Sequence, residues 1–547
     1  MKLARFATLL VATIAIPTIA APPAVDSINP AGGQRGTTVK ITAAGKFDAW
    51  PAGAWAGSPS IKIEASKEKG AFAVTVAADA PVGPHLVRFY TPEGVSAPRA
   101  FVVGEHAEVV EKESKDDPAK AQSIDGLPAT VNGALDPKGD VDSFAVKLDA
   151  GQTLVVAVQG RRLGSPIDPM LHVIGPDGRQ VAFSHDGLGV DPLVAYKAEA
   201  AGVYTVRVSA FAYPPAADVK FAGGKDAIYR LTLTTGPFVL AATPSGVMRG
   251  KQTDVTPLGW NVGPAIGVDA TAVAADQLTV PGGEGPVRIE VSDGAEVAEA
   301  AAGSAPHKAP AAITGTIAKP GEEDTYTFRA TKGARLAINA RSLAPTYALD
   351  PALRVTDAAG KQLAADDGAG TGSAKAEWAA PADGEYRVTV GDLFQKGGPE
   401  LHYRLDVRPV TPSVSATVPA DSMALAPGKS ATVKVTIARK NGHMEKLAVS
   451  AVGLPEGVTA APVAVPDKAG DVTLTIAAAA DAKPANGPFR VVLTSPGGDP
   501  AKPIATATVT LVKATEKAPA LPWIEQTADL WLTVGAKATE RPKDEKK

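Results

Sequence analysis

One offset, 182 residues, governs the middle of this 547-residue chain. Residues 142–171, DSFAVKLDAGQTLVVAVQGRRLGSPIDPML, return as residues 324–353, DTYTFRATKGARLAINARSLAPTYALDPAL, with no gap. An acidic turn follows in each copy, Ser184-His185-Asp186-Gly187 and Asp366-Asp367-Gly368. Tyr204 and Tyr386 keep the offset, and both copies close on Tyr-Arg-Leu, at 229–231 and 403–405. A duplication of this kind means one fold used twice. Within it, apolar residues alternate: Leu154, Val156 and Val158 in the first copy, Leu336, Ile338 and Ala340 in the second. Period two places one face of a strand in a core and the other in water. Gly and Asp-Gly at the joints supply turns. The expected fold class is all-β, as tandem β-sandwich modules, jelly-roll-like and Ig-like.

Composition narrows the class further. The length allows about four or five domains. Charged residues are 21% and nearly balanced, giving a net charge of −3. That excludes a coiled coil, a collagen and a strongly basic nucleic-acid binder. No nucleic acid partner is expected, and an acidic balance disfavours anionic membrane surfaces. Lys2 and Arg5 precede an apolar run from Ala7 to Ile19, followed by small residues at Ala20 and Ala21. This is the layout of a secretory signal peptide, 1–20, with cleavage near Ala20. Its removal takes two positive charges, leaving −5. After cleavage no membrane span is expected, and the protein is placed as exported: periplasmic, cell-surface or secreted. The chain has no Cys, hence no disulfide, lipobox or thiolate metal site.

The ordered elements G-D-V-D-x-F, A-G-Q-x-L, D-P-x-L, D-G, A-x-G-x-Y-x-V-R-V and Y-R-L resemble the bacterial pre-peptidase C-terminal domain. The first copy's GRRLGSPIDP (160–169) resembles the version common in exported proteins of planctomycete-type bacteria. The resemblance implies a small jelly-roll-like sandwich, itself non-catalytic, that accompanies secreted peptidases and other exported enzymes. GGQRGTTVKITAAGKF (32–47) and its continuation over 72–104 resemble an IPT/TIG-type Ig-like domain; SGVMRGKQTDVTPLGWNV (245–262) parallels it in shortened form. Strands at 10–20-residue spacing between 426 and 512 resemble a bacterial Ig-like domain. The expected organisation is therefore an IPT/TIG-like domain (24–104), a first pre-peptidase domain (105–236), a shortened IPT/TIG-like segment (237–292), a second pre-peptidase domain (293–409), a bacterial Ig-like domain (410–513) and a flexible tail (514–547). Within that tail Trp523, Ile524, Leu530, Trp531 and Leu532 form an apolar set able to dock as a final strand.

Chemistry is sparse. There is no H-E-x-x-H, G-x-S-x-G or Walker A motif. The seven His are dispersed, with none at i+2 or i+4 from another; His172 and His402 fall on expected strands, as structural or surface residues. No catalytic residue is assigned and the chain is read as not an enzyme. Asp366-Asp367 sits in a turn, where Asp bonds its own backbone. Phe221 and Phe394 precede Gly-bearing loops and read as inward-packed hairpin rings or as a grip on a polymer chain. One constellation stands out: Glu111, Glu113 and Asp116 in EVVEKESKDD, followed by Asp140 and Asp142 in KGDVDSF. It resembles the acidic linker that binds calcium in the pre-peptidase-like collagen-binding domains of bacterial collagenases, although Lys115 stands where that family has Asn. Several anionic oxygens from an extended segment suit calcium; the other reading is a solvated acidic spacer. Aligning Pro118 with Pro306 sets Glu108 and Glu111 against Glu296 and Glu299, but Glu113 and Asp116 against Ala301 and Ser304. If one copy binds calcium, it is therefore the first.

These readings describe a non-catalytic exported string of β-sandwiches for surface attachment, matrix or polymer binding, or scaffolding, with an extracellular or cell-surface polymer or protein as partner. The alternative is an accessory chain of a secreted peptidase or glycan-degrading system. Limited proteolysis of the mature protein is expected to cut near 105–120, 293–310, 409–413 and after 513. A circular dichroism spectrum dominated by helix would contradict the reading.

Overall fold

The computed structural model describes residues 21–112, 120–187, 190–213, 220–280, 287–299, 305–343, 349–368, 372–468, 470–511 and 523–535. Among these the chain is almost wholly strand and turn, and the strands form five successive sandwiches. The first pairs a sheet ordered Ala24–Asn29, Thr38–Lys46, Ala71–Val76, Ile61–Ala65 with one ordered Gly32–Gln34, Arg99–Gly104, Gly83–Thr91, Gly53–Ala56. Phe47, Phe72, Phe89 and Phe101 fill the space between them.

The repeat becomes two sandwiches of matching topology. In the first copy one sheet runs Ala107–Val110, Ala129–Ala134, Ile228–Thr234, Thr153–Gln159, Leu193–Lys197. In the second it runs Ala295–Ala298, Ala311–Thr316, His402–Pro409, Arg335–Ser342, Ser373–Ala379. The facing sheets run Asp142–Leu148, Gly202–Ala212, Ile167–Ile174, Gln180–Ser184 and Glu323–Ala330, Gly384–Asp392, Pro351–Thr356, Gln362–Asp366; the first of these carries an extra edge strand, Gln122–Ser123. The sequence offset is also the register offset. Phe144 opposes Val206 as Tyr326 opposes Val388, and Leu171 opposes Val208 as Leu353 opposes Val390. A slip by one residue would turn every core side chain outward. Phe144, Val146, Val206 and Val208 are buried as the alternation requires.

Between the copies, the shortened segment is a sandwich of two three-stranded sheets with a small core around Val247, Val255 and Ile289. The last sandwich holds the Ser430–Lys440 and Gly470–Ala478 strands on one side and a six-stranded sheet on the other. Here the tail expected over 514–547 needs correction. Leu530–Val534 is a strand, parallel to Ser422–Leu425 and antiparallel to Ala485–Thr494. Its five residues are all buried, because Leu530, Leu532 and Val534 complete the core while Trp531 points out of it.

Trp531 is nonetheless only 1% exposed, because the first sandwich covers it. Its ring lies 5.9 Å from Trp55 and 5.2 Å from Tyr90. Leu86 of the first sandwich joins the core of the last, Asn486 donates to the Thr91 carbonyl at 3.2 Å, and Arg88, 1% exposed, donates to Asp421 at 2.7 Å. The string is therefore folded back so that its last module rests on its first. Burying a ring of this size contributes about 2–3 kcal/mol. Removing one partner of a buried ion pair costs about 3 kcal/mol because the other charge is stranded. Asp421→Ala is expected to weaken this contact, read as a lower melting temperature and a larger radius of gyration in X-ray scattering, with circular dichroism unchanged.

Candidate metal centre

In the first copy the chain enters the repeat sandwich along Ala107–Val110, which lies parallel to Ala129–Ala134. This edge strand aims Glu108 at the sheet and leaves Glu111 at its end, where the Glu111 carboxylate accepts the Ala134 amide at 2.7 Å. Asp140 and Asp142 sit at the start of the Asp142–Leu148 strand, both buried. One carboxylate oxygen from each of Glu111, Asp140 and Asp142 lies within 4.8 Å of the others. The Tyr229 hydroxyl donates to Asp142 at 2.7 Å and stands 3.5 Å from Glu111. Burial, and then the charges of Asp142 and Glu111, push the Tyr229 phenol well above its ordinary range, so it stays a donor. The donor set is all oxygen and strongly anionic, which fits a hard divalent cation and not a thiophilic one. The two remaining acids expected here, Glu113 and Asp116, lie outside the described residues.

Tyr229 belongs to the repeated Tyr-Arg-Leu, and its neighbour Arg230 is fixed just as firmly. Arg230 makes a two-pronged pair with Glu108, at 2.8 and 2.9 Å, and donates to Asn132 at 2.9 Å. Gly32 of the first sandwich packs so close that a Cβ there would lie 2.0 Å from the guanidinium. In the second copy Arg404 pairs with Glu296 at 2.6 Å on both prongs and donates to Ser245 at 3.2 Å, with Gly246 in the place of Gly32. Glu108 and Glu296, aligned from sequence, thus share one structural role.

The acids diverge between the copies. Tyr403 donates to Asp324 at 2.7 Å, as Tyr229 does to Asp142. Glu299 accepts the Thr316 amide at 3.0 Å, as Glu111 does that of Ala134. Glu322, in the place of Asp140, instead accepts the Lys319 amide at 2.8 Å. Glu299 and Asp324 are left as close neighbours, and the Asp324 charge disfavours ionisation of Glu299. Burial, and after it the Asp324 charge, lifts Glu299 from 4.5 to about 7.

A second set, Asp168, His185 and Asp186, also brings its donor atoms within 4.8 Å. His185 Nε2 lies 3.3 Å from Asp168 and Nδ1 lies 3.5 Å from Asp186; Arg161 also reaches Asp168, at 3.3 Å. Spacing between His residues missed it, because its members come from a strand and a turn 17 positions apart; the repeated Asp-Pro and acidic turn were the available signals. Of the other residues singled out, His172 lies on an outer sheet face against Phe183, while His402 is buried and bonds Thr316 at 2.8 Å. Phe221 packs on Phe211, 5.8 Å between ring centres, and Phe394 projects, 66% exposed. Asp366 accepts the amide of Lys375, which lies on the Ser373–Ala379 strand beyond the turn.

No protein-family model matches this chain, and no curated protein does. Among solved structures, it is similar to the pre-peptidase C-terminal domain of a collagenase from Bacillus anthracis, at 17% identity over 19% of this chain and 94% of that one, with a TM-score of 0.16. Fibronectin(III)-like modules of Clostridium thermocellum CbhA match at 10% identity, over 45% of this chain and 97% of theirs, TM-score 0.13. The four N-terminal Ig domains of Dscam1 match at 9%, over 95% and 100%, TM-score 0.21. The class the chain itself defines is a multi-module all-β protein.

Two groups in the second copy titrate with opposite sign. Glu299 binds a proton more tightly folded than unfolded, so its contribution is complete below pH 4.5 and is lost as pH rises through about 7. His402 is lowered from 6.5 to about 4 by burial, so its contribution is complete above pH 6.5 and is lost as pH falls towards 4. Their slopes oppose between pH 4.5 and 6.5. Urea unfolding followed at Trp378, in this core, is expected to show stability rising with pH in Glu299→Gln and falling with pH in His402→Gln.

Proposed function

We propose that this chain is an exported, non-catalytic scaffold whose β-sandwiches attach to an extracellular or cell-surface polymer or protein. The observation that carries this reading is the way the modules are joined. Glu108–Arg230 and Glu296–Arg404 are buried ion pairs at the seams between an Ig-like sandwich and the repeat sandwich after it. Phe238 and Leu240 pack on Val155, Ala157 and Leu193 at the next seam, and Trp531 closes the last module on the first. Sheets fixed in this way present their outer faces at set spacing, and several weak sites at fixed spacing bind an extended partner far more tightly than one. Among the described residues no helix is long and apolar enough to cross a membrane. Incubation with casein, collagen and polysaccharide panels is expected to give saturable binding without turnover; turnover would overturn the non-catalytic reading.

We assign calcium to Glu111, Asp140 and Asp142, with Glu113 and Asp116 as further ligands from the acidic linker. Ligands drawn from two segments far apart in sequence would tie the linker to the sandwich. Extracellular calcium modules bind at about 10⁻⁴–10⁻³ M, and a hundredfold excess over the dissociation constant stabilises by about 2.7 kcal/mol. Terbium in place of calcium is expected to luminesce on tyrosine excitation, because Tyr229 touches the site, and calcium is expected to quench that signal by displacement. Glu111→Ala with Asp142→Ala is expected to remove both the emission and the calcium-dependent rise in melting temperature. The second copy, with two acids side by side and the third turned to Lys319, is expected to contribute little.

A further inference from the structure

Three Asn of this chain precede Gly: Asn132, Asn441 and Asn486. Such a pair is open to attack by the Gly nitrogen on the Asn side-chain amide, because Gly has no Cβ to hinder the approach and lets the backbone turn. Two of the three are locked. Asn132 lies in the Ala129–Ala134 strand, paired with Val110 on one side and Arg230 on the other. It is 1% exposed, and Glu108 and Arg230 hold its amide. Asn486 and Gly487 pair with Thr533 and Leu532, and the Asn486 amide donates to the Thr91 carbonyl at 3.2 Å and accepts the Thr533 hydroxyl at 2.7 Å. Asn441-Gly442 instead forms the corner of a turn in the last sandwich. Their φ values are +56° and +79°, and the His443 amide donates to the Lys440 carbonyl at 3.1 Å. Gly442 is exposed, and a Cβ there would meet nothing within 4 Å. This turn touches the second repeat sandwich. Arg335, 3.6 Å from Glu377, donates to Asn441 Oδ1 at 3.3 Å, and Asn441 Nδ2 donates to Glu377 at 3.4 Å. The oxygen that gains negative charge when its carbon is attacked therefore faces a guanidinium, which favours that charge.

We propose that Asn441 is a site of spontaneous deamidation, promoted by Arg335 of the neighbouring module. The Gly442 nitrogen forms a bond to Asn441 Cγ and gives up its proton to water. The Cγ–Nδ2 bond breaks, and the nitrogen takes up a proton and leaves as ammonia. The product is a five-membered succinimide. Water then adds to either of its carbonyls and opens the ring, to Asp or to isoaspartate, in which the chain runs through the side-chain carbonyl. Nothing is oxidised or reduced. Either product sets a second carboxylate beside Arg335, which Glu377 must then share, so the seam between the second repeat sandwich and the last one gains negative charge with age. The site is independent of the function proposed above, and its failure leaves that reading intact.

The full chain is kept folded in warm, mildly alkaline buffer and mapped by mass spectrometry of its peptides, with isoaspartate detected by an isoaspartyl methyltransferase. Asp and isoaspartate are expected to accumulate at 441 at least about tenfold faster than at 132 or 486. The two locked sites react only from locally opened states, and an opening free energy of about 1.4 kcal/mol already costs that factor. In urea the rates at the three sites are expected to converge. Arg335→Gln is expected to slow the reaction at 441 a few-fold in the folded chain and to leave it unchanged in urea. Added salt is expected to slow the folded wild type likewise, since it screens an exposed charge. Equal rates at 441 and the locked sites in the folded chain, or no reaction at 441 while the unfolded chain reacts, would each overturn the site. A folded rate that responds neither to Arg335→Gln nor to salt would overturn the part given to Arg335. If Arg335→Gln lowers the melting temperature, the salt dependence decides that part alone.

Discussion

A guanidinium group cannot be taken out of water without a partner, since the desolvation cost of a lone buried ion is several kcal/mol. Arg230 and Arg404, each almost wholly buried, therefore dictate much of what surrounds them. Each requires a carboxylate in two-pronged geometry, and Glu108 or Glu296 supplies it from the edge strand that leads into the sandwich. Each also requires a neighbour without a side chain on the preceding module, and Gly32 or Gly246 supplies that. The strand that carries the arginine places the preceding tyrosine on the opposite face, where it bonds Asp142 or Asp324. One tripeptide thus ties together the module before it, the entering strand and the carboxylates at the strand start.

The divergence between the copies follows from how acids crowd. Three carboxylates around one point repel unless a cation or a proton joins them. The first copy keeps all three converging. The second turns one away to an amide and leaves the other two side by side, where burial and the Asp324 charge make Glu299 hold its proton more tightly. The same backbone thus holds two solutions to one electrostatic problem, and they differ in which positive species each needs.

Much of the fold was legible because alternation and the constant offset state register directly: once Leu154, Val156 and Val158 face inward, the opposing residues of the neighbouring strands follow. Glu111 was legible in an acidic linker, and Asp140 and Asp142 as acids at a strand start. What was hidden has a common cause, which is that local patterns do not encode distant contacts. Asp168 and His185 meet across a strand and a turn. Leu530–Val534 reads as an apolar scrap after a Pro- and Lys-rich stretch, and only the empty place between Ser422–Leu425 and Ala485–Thr494 gives it a role. Arg88 and Asp421, 333 positions apart, carry no signal of each other in the sequence.

The position of Trp531 has a consequence for the order of events during synthesis. A chain made from its N-terminus folds its domains in turn. The first sandwich has its complete set of strands early, but its surface around Trp55, Leu86 and Tyr90 finds its cover only when Trp531 emerges, 441 residues after Tyr90. At about 5–20 residues per second that interval is roughly 20–90 s. For that time an aromatic patch and the Arg88 guanidinium stand open on an otherwise finished domain. The module that folds first is thus the one that waits longest for its cover, and its surface must resist the wrong neighbours meanwhile, including the same patch on another nascent chain.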